Sequence, residues 1–176
     1  MNRKHSVAGL VLIILFGLSL GSSLLPAAMA DQLPKPTGKV LLTISGGISV
    51  TNSDDGAKFD YDMLSNLGLV DKNISTYWTS PDSIFTGVLA RNIMALVGAN
   101  GSWVRAVAAN DYSVNLPLTD LTRFDTLLGL YHNSERMSMR DKGPVWLLYP
   151  NDSRPDKSES TINERMIWQL KSLQIH

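Results

Sequence analysis

The chain has 176 residues, no cysteine, and equal numbers of basic and acidic residues, 16 of each. Without cysteine it has no disulfide framework, no thiolate nucleophile and no thiolate metal ligand. It contains no basic block, so we expect no nucleic-acid partner. Of its three histidines, only His132 lies away from the chain ends. A catalytic triad and a zinc centre are therefore not expected.

Residues 1 to 30 have the three parts of a secretory signal. A basic start precedes an apolar core at Val7 to Leu20 and a small-residue cleavage site at Ala28 to Ala30. We therefore expect export and a mature chain that begins at Asp31. An uncleaved membrane anchor is the alternative, although several glycines and a proline interrupt the apolar run. Residues 31–176 are expected to form one domain, because no linker divides them.

The first predicted elements are a strand pair and a short helix. Lys39 to Ser45 is typical of a strand, and Ile48 to Thr51 is expected to be its return partner. Asp60 is placed to cap a helix, and Gly68 is placed to end it. The apolar residues of that helix are Met63, Leu64 and Leu67.

An aromatic segment and a longer helix are predicted next. Ile74 to Thr79 is expected to be a short extended run, and it contains Tyr77 and Trp78. A helix should follow, with Gly98 ending it. Its apolar residues at helical spacing are Val88, Leu89, Ile93, Leu96 and Val97.

A strand with one small-residue face occupies the middle of the sequence. In residues 104–109, Val104, Ala106 and Ala108 alternate with Arg105, Val107 and Ala109, a period of two that predicts a half-buried strand. A polar turn at residues 110–112 follows, and a second extended run reaches Pro117. Small side chains leave room for a ligand, so we interpret this stretch as the floor of a pocket. The alternative is an ordinary Asn-Asp turn.

The last third of the chain predicts further strands. Leu118 to Arg123 is expected to be a connection and Thr126 to Tyr131 a strand. His132 to Glu135 is expected to turn the chain back toward Arg136 to Met139. Val145 to Tyr149 is almost wholly apolar, which predicts a strand buried on both faces. Pro150 to Ser160 is a polar, charged loop, and Met166 to Ile175 supplies the closing apolar contacts. This count favours an α+β or mainly β domain.

Three segments together resemble the molybdopterin-binding domain of the sulfite-oxidase family. They are residues 85–89 with the helix end at 97–99, then residues 143–150, then residues 168–175, and their order matches that of the family. The resemblance covers about Gly38 to Ile175. It implies an α+β fold with a mixed, strongly bent sheet and few short helices.

The chain departs from the enzymes of that family at the molybdenum ligand. Their strand before the central turn carries a cysteine, whereas this chain has Ala106, Ala108 and Ala109. Molybdenum chemistry of that type needs a soft thiolate, so we expect no metal cofactor and no enzymatic activity. The chain is more similar to a cysteine-free branch, the periplasmic pterin-responsive regulators. That resemblance implies a periplasmic location, a reduced pterin as non-covalent ligand, and relay to a transmembrane diguanylate cyclase or phosphodiesterase that controls cyclic di-GMP.

Aromatic and polar residues near the central turn are the candidate ligand contacts. Aromatic walls suit a flat heterocycle, and the carboxylate of Asp111 can accept two hydrogen bonds from the 2-amino and N3–H edge of a pterin. The predicted pterin-binding residues are Trp78, Asn110, Asp111, Tyr112, Arg140 and Trp146. Two alternatives stay open: a thiolate-free molybdopterin oxidoreductase, and a structural module that binds no ligand. The sequence leaves open the pterin's identity and redox state, the partner's contact surface and the oligomeric state.

Overall fold

The computed structural model of the chain describes residues 33–79 and 83–176. The predicted signal at residues 1–30 and the cleavage before Asp31 lie outside these residues. Within the described ranges, no helix is long and apolar enough to cross a membrane. The described residues form two sheets and a few short helices, which confirms the predicted α+β class.

Strands outnumber helices along the described chain. The strands are β1 Leu42–Gly46, β2 Ala57–Phe59, β3 Leu69–Asn73, β4 Ile84–Leu89, β5 Trp103–Ala108, β6 Ser113–Pro117, β7 Leu127–His132, β8 Glu135–Arg136, β9 Trp146–Leu148 and β10 Leu170–Ile175. The helices are α1 Tyr61–Ser65, α2 Ala90–Leu96, α3 Leu118–Thr122 and α4 Glu159–Arg165, with a 3₁₀ turn at Met139–Asp141. Because each helix has only five to seven residues, tertiary packing rather than helix propensity must stabilise it.

The first sheet has the strand order β2-β1-β10-β5-β6. It is mixed, because β1 and β10 are parallel whereas the other neighbours are antiparallel. The parallel pair places Ile44 opposite Leu173. The predicted period of two in β5 is confirmed, since Val104, Ala106 and Ala108 are buried and Arg105 is exposed. Within this sheet, β5 therefore turns mainly small side chains toward the protein interior.

The second sheet has the order β3-β4-β7-β8, and β9 pairs with β7 on the same side as β8. The described strands thus form two separate sheets. The prediction for Val145 to Tyr149 is confirmed, because all five residues are buried. The core therefore includes a strand with both faces covered.

The predicted return strand at Ile48 to Thr51 is wrong. The antiparallel neighbour of β1 is β2, with Ile44 opposite Ala57. The backbone N–H groups of Ser49 and Val50 instead donate to the carbonyl of Val97, at 2.9 and 3.1 Å. This segment thus donates to a carbonyl at the end of α2 instead of pairing with β1 as a strand.

The boundary between β4 and α2 also differs from the prediction. Val88 and Leu89 belong to β4, which is hydrogen-bonded to a strand on each side, rather than to the helix. A central strand forms backbone hydrogen bonds along both of its edges. These hydrogen bonds outweigh the helical spacing of the apolar residues in this run. Gly87 allows the close pairing, since a Cβ there would lie 2.2 Å from the carbonyl oxygen of Leu128. The predicted stop at Gly98 is confirmed by its φ of +59°.

Three further segments differ in secondary structure from the prediction. Residues 74–79, which were predicted to be extended, form a loop with a turn at Tyr77 and Trp78. The nearest strand before them is β3, which ends at Asn73. The predicted connection at Leu118 to Arg123 contains α3, and α4 begins within the predicted loop at Pro150 to Ser160. These helices are short, so packing against the sheets must stabilise them.

The predicted cap of the first helix is confirmed at Asp60. Its carboxylate accepts from the backbone N–H of Met63 at 2.9 Å, and from those of Thr37 and Gly38 at 2.8 Å each. The N–H groups of Met63 and Gly38 are the main causes that hold the pKa of Asp60 below its usual value. Asp60 therefore fastens the incoming chain to the start of α1.

We predict that Asp60→Ala lowers the free energy of unfolding by about 2 kcal/mol at pH 7, because one helix cap and two further N–H groups lose their acceptor. A lowered folded-state pKa stabilises the fold above the unfolded carboxyl pKa of about 3.9, and this contribution is lost as the pH falls through the folded-state value. Urea unfolding should therefore show a smaller difference between variant and wild type at pH 2.5. Asp62→Ala, in the first turn of the same helix, is the control and should cost less than about 1 kcal/mol. Equal losses in both variants would contradict the assigned role of Asp60.

Candidate functional site

A cavity of about 570 Å³, here called the aromatic cavity, opens beside the end of β5. Aromatic and aliphatic side chains form most of its wall, and a few amide, hydroxyl and carboxylate groups interrupt it. The lining residues are Tyr77, Trp78, Ala108, Asn110, Tyr112, Ser160, Asn163, Glu164, Met166, Ile167 and Trp168. An apolar cavity with a few polar groups is the usual form of a small-molecule site.

The turn between β5 and β6 forms one side of the aromatic cavity. The backbone N–H of Asp111 donates to the carbonyl of Ala108 at 3.0 Å, and that of Ala108 donates to the carbonyl of Tyr112 at 2.8 Å. The side-chain oxygen of Asn110 accepts from the N–H of Tyr112 at 3.2 Å. Asp111 has a φ of +65°, a conformation that Asp adopts more readily than most residues. The predicted Asn-Asp turn therefore exists and holds Asn110 and Tyr112 at the cavity.

Helix α4 and the segment after it form the opposite side. Ser158 caps the helix by accepting from the N–H of Thr161 at 3.3 Å. Its inner residue Ile162 is fully buried, whereas Glu164 is exposed at the cavity wall. The helix thus places one carboxylate at the rim of the cavity.

A buried carboxylate holds α4 in place. Asp120, in α3, accepts from the guanidinium of Arg165 at 2.6 Å and from the hydroxyl of Tyr149 at 3.0 Å. Only 3% of Asp120 is exposed. Burial, and then the neighbouring Asp120 charge, raise the pKa of Tyr149 well above its usual value, so the phenol stays protonated and donates. The position of the cavity wall therefore depends on a contact between α3, α4 and the residue that follows β9.

Three tryptophans support the aromatic wall. Trp78 and Trp168 meet edge to face with ring centroids 4.9 Å apart. Trp146 lies behind them, at 6.4 Å from Trp78 and 6.3 Å from Trp168. Edge-to-face packing of this kind stabilises aromatic clusters beyond the area that they bury. The wall is therefore a packed unit rather than a set of independent side chains.

A second cavity of about 360 Å³, here called the cationic cavity, shares Trp78 with the first. Its wall is polar except for two indole rings. The lining residues are Trp78, Thr79, His132, Arg140, Asp141, Lys142 and Trp146. Trp78 is thus common to the walls of both cavities.

The structure distributes the predicted pterin-binding residues over these two cavities. Trp78, Asn110 and Tyr112 line the aromatic cavity, and Arg140 and Trp146 line the cationic cavity. Asp111 lines neither cavity. Its side chain is 84% exposed, and its carboxylate lies 3.7 Å from the amine of Lys171.

Sequence reasoning missed the contribution of α4 and the segment that follows it. Asn163, Glu164 and Trp168 line the aromatic cavity, but none of them was a predicted site residue. A helical signal was present, because Ser158 is a good N-cap and Ile162 and Met166 are four residues apart. That signal indicates a helix but not the surface that the helix faces, which depends on the distant contact with Asp120.

The residues at the end of β5 do not fit a thiolate-ligated molybdenum. Ala106 and Ala108 are buried, and Ala109 follows them at the start of the turn. None of these side chains carries a donor atom, and the sequence contains no cysteine elsewhere. Among residues 33–79 and 83–176, no group of three or more His, Cys, Asp or Glu side chains is placed to hold a metal ion.

No protein-family model matches this chain, and no curated protein matches it either.

We predict that Asp120→Ala lowers the free energy of unfolding by about 3 to 5 kcal/mol, because it leaves a guanidinium and a buried phenol without their acceptor. Glu159→Gln is the matched control in α4 itself, since Glu159 is 70% exposed and pairs with Arg154 at the surface. That change should cost less than about 1 kcal/mol. Urea unfolding of both variants at pH 7 makes the comparison. If Asp120→Ala lowers the free energy of unfolding no more than Glu159→Gln does, the buried contact does not hold α4 in place.

Proposed function

We propose that this chain is an exported pterin-binding sensor with a sulfite-oxidase-type fold, that it has no enzymatic activity, and that it works in the periplasm. The observation that carries the proposal is the aromatic cavity, which combines indole rings packed edge to face and two phenol rings with one carboxylate at its rim. The donor set supports the absence of molybdenum chemistry, because alanines occupy the strand that leads to the cavity.

The size and the walls of the aromatic cavity suit a bicyclic heterocycle. Its volume of about 570 Å³ falls within the range of about 300 to 1,000 Å³ that is typical of small-molecule sites. Trp78, Tyr112 and Trp168 present aromatic surfaces against which a flat ring can stack or pack edge to face. Ala108 adds no bulk at the end of β5. Aromatic packing therefore supplies affinity for flat rings in general.

Specificity for a pterin requires groups that recognise its edge. The 2-amino group and N3–H of the ring are neighbouring donors, and a carboxylate is an acceptor with two oxygens that can meet both. Glu164 is the carboxylate in the lining. The amides of Asn110 and Asn163 can donate to the carbonyl oxygen and ring nitrogens of the ligand. We therefore assign the edge-reading role to Glu164 in preference to Asp111.

Relay to a transmembrane diguanylate cyclase or phosphodiesterase requires that the ligand favours one of two protein states. Tyr77 and Tyr112 support a contact at the mouth of the aromatic cavity, because both line it while 83% and 54% of their surfaces are exposed. A partner bound there would meet both the protein and its ligand. The protein should therefore bind the periplasmic domain of the cyclase or phosphodiesterase more strongly with reduced pterin than without it, as a co-purification experiment would measure. Equal capture in both conditions would leave a binding protein that relays nothing.

The assignment of the carboxylate is tested by two matched substitutions. We predict that Glu164→Gln weakens binding of a reduced pterin by roughly ten- to a hundredfold, because a charge-assisted, two-bond contact contributes about 1.5 to 3 kcal/mol. Asp111→Asn makes the same chemical change outside the lining and should leave the affinity unchanged. Calorimetric titration gives the affinities, and the melting temperature shows that each variant is folded. The reverse result, with Asp111→Asn weakened and Glu164→Gln unchanged, would assign the role to Asp111 as the sequence alone predicted.

A further inference from the structure

The outer side of the first sheet carries mainly polar side chains, and it is here called the polar face. The strand registers arrange its residues in three rows across neighbouring strands. The rows are Thr43, Ser172, Val107 and Ser113, then Ser45, Gln174, Arg105 and Asn115, then His176, Trp103 and Pro117. All of these residues are at least partly exposed, and none is acidic. Arg105 is therefore the one permanently charged side chain of the polar face.

Arg105 is held in place by a neighbour that does not neutralise it. Its Nε and Nη2 donate to the hydroxyl of Ser113, on the adjacent strand, at 3.3 and 3.2 Å. Arg105 makes no ion pair among the described residues. A guanidinium has five N–H donors, so three are left for a ligand. The remaining donors match a carboxylate, which accepts from a guanidinium with two oxygens.

Trp103 supplies an ordered aromatic surface on the same face. Its indole is 41% exposed and stacks on the ring of His176, with centroids 4.0 Å apart and planes 9° apart. The two backbones also exchange hydrogen bonds of 2.9 and 3.1 Å. Because Trp103 and Arg105 are two residues apart on β5, they lie about 7 Å from each other along one face of the strand. An aromatic surface thus lies next to a cation.

Amide and hydroxyl groups flank this pair. Gln174 on β10 and Asn115 on β6 are the cross-strand neighbours of Arg105. Their side chains, and that of Ser172, make no hydrogen bond to other residues of the described ranges. Amides and hydroxyls donate as well as accept, and so do the hydroxyls of a sugar. The face lacks the apolar centre of a protein–protein interface, and one cation is too few for nucleic acid.

We infer that the polar face binds a polysaccharide whose sugar rings carry carboxylates. The charge of the face decides the class of ligand, because an unneutralised guanidinium without any neighbouring acid in the rows favours an anionic chain. One sugar ring packs on Trp103, and the carboxylate of the next unit pairs with Arg105. The hydroxyls of the chain bond to Gln174 and Asn115. The face lies on the side of β5 opposite to Ala106 and Ala108, so the inference does not rest on the proposed function.

The test measures binding of hexagalacturonate to the purified protein by calorimetric titration, with the neutral hexasaccharide cellohexaose as the comparison. Hexagalacturonate should bind more tightly, and it should shift the indole N–H resonance of Trp103 in a ¹H–¹⁵N spectrum. Arg105→Gln should weaken its binding at least about tenfold, because a charged donor is lost. Trp103→Leu should weaken it roughly two- to tenfold, because the aromatic surface is lost. Arg136→Gln removes an exposed cation from β8, in the other sheet, and should change nothing.

Melting temperatures show that each variant is folded, and sedimentation velocity shows whether the polar face instead pairs with a second copy of the chain. The inference is overturned if hexagalacturonate does not bind the wild type, if cellohexaose binds equally well, or if both folded variants retain wild-type affinity. Self-association of the wild type that Arg105→Gln abolishes would likewise overturn it and assign the face to a second copy. Both variants should bind reduced pterin as the wild type does, so failure of the proposed function is measured separately.

Discussion

The buried carboxylate of Asp120 is the contact on which the arrangement of the candidate site depends. It joins α3 to Arg165 at the end of α4 and to Tyr149, which follows β9. Removing a carboxylate from water is costly, and the cost is offset here by a guanidinium, a phenol and the low-dielectric surroundings that strengthen both contacts. Without this contact, α4 is a seven-residue helix too short to be stable by itself. The wall of the aromatic cavity is therefore held by this ion pair and hydrogen bond as well as by apolar packing.

The end of β5 and the tryptophan cluster form two further parts of the wall of the aromatic cavity. Ala108 ends the strand without filling the space beside it, and the following turn places Asn110 and Tyr112 at the edge of that space. Trp78 and Trp168 close the far side as one packed unit. Because Trp78 also borders the cationic cavity, a ligand in one cavity touches a wall of the other.

The sequence predicted correctly those structural features that depend only on residues close together in the chain. The cap at Asp60, the stop at Gly98 and the alternation in β5 each depend on a few neighbouring residues, and each is confirmed. The boundary at Val88 was misplaced, because an apolar run satisfies both the helical and the extended pattern until its hydrogen-bond neighbours are known. Glu164 was missed for a related reason. Its position beside the cavity follows from the docking of α4 onto Asp120, 45 residues away in the sequence from Arg165, and no local pattern reports that contact.

The identity of any small molecule that the purified protein releases tests the central claim most directly. The protein is purified from cells that make reduced pterins, freed of unbound solutes, and denatured, and the released molecules are oxidised and examined by fluorescence and mass spectrometry. The account predicts a pterin in an amount comparable to that of the protein, with much less released from Glu164→Gln prepared in parallel. Release of no pterin, from a folded protein that also fails to bind added reduced pterin, would contradict the account.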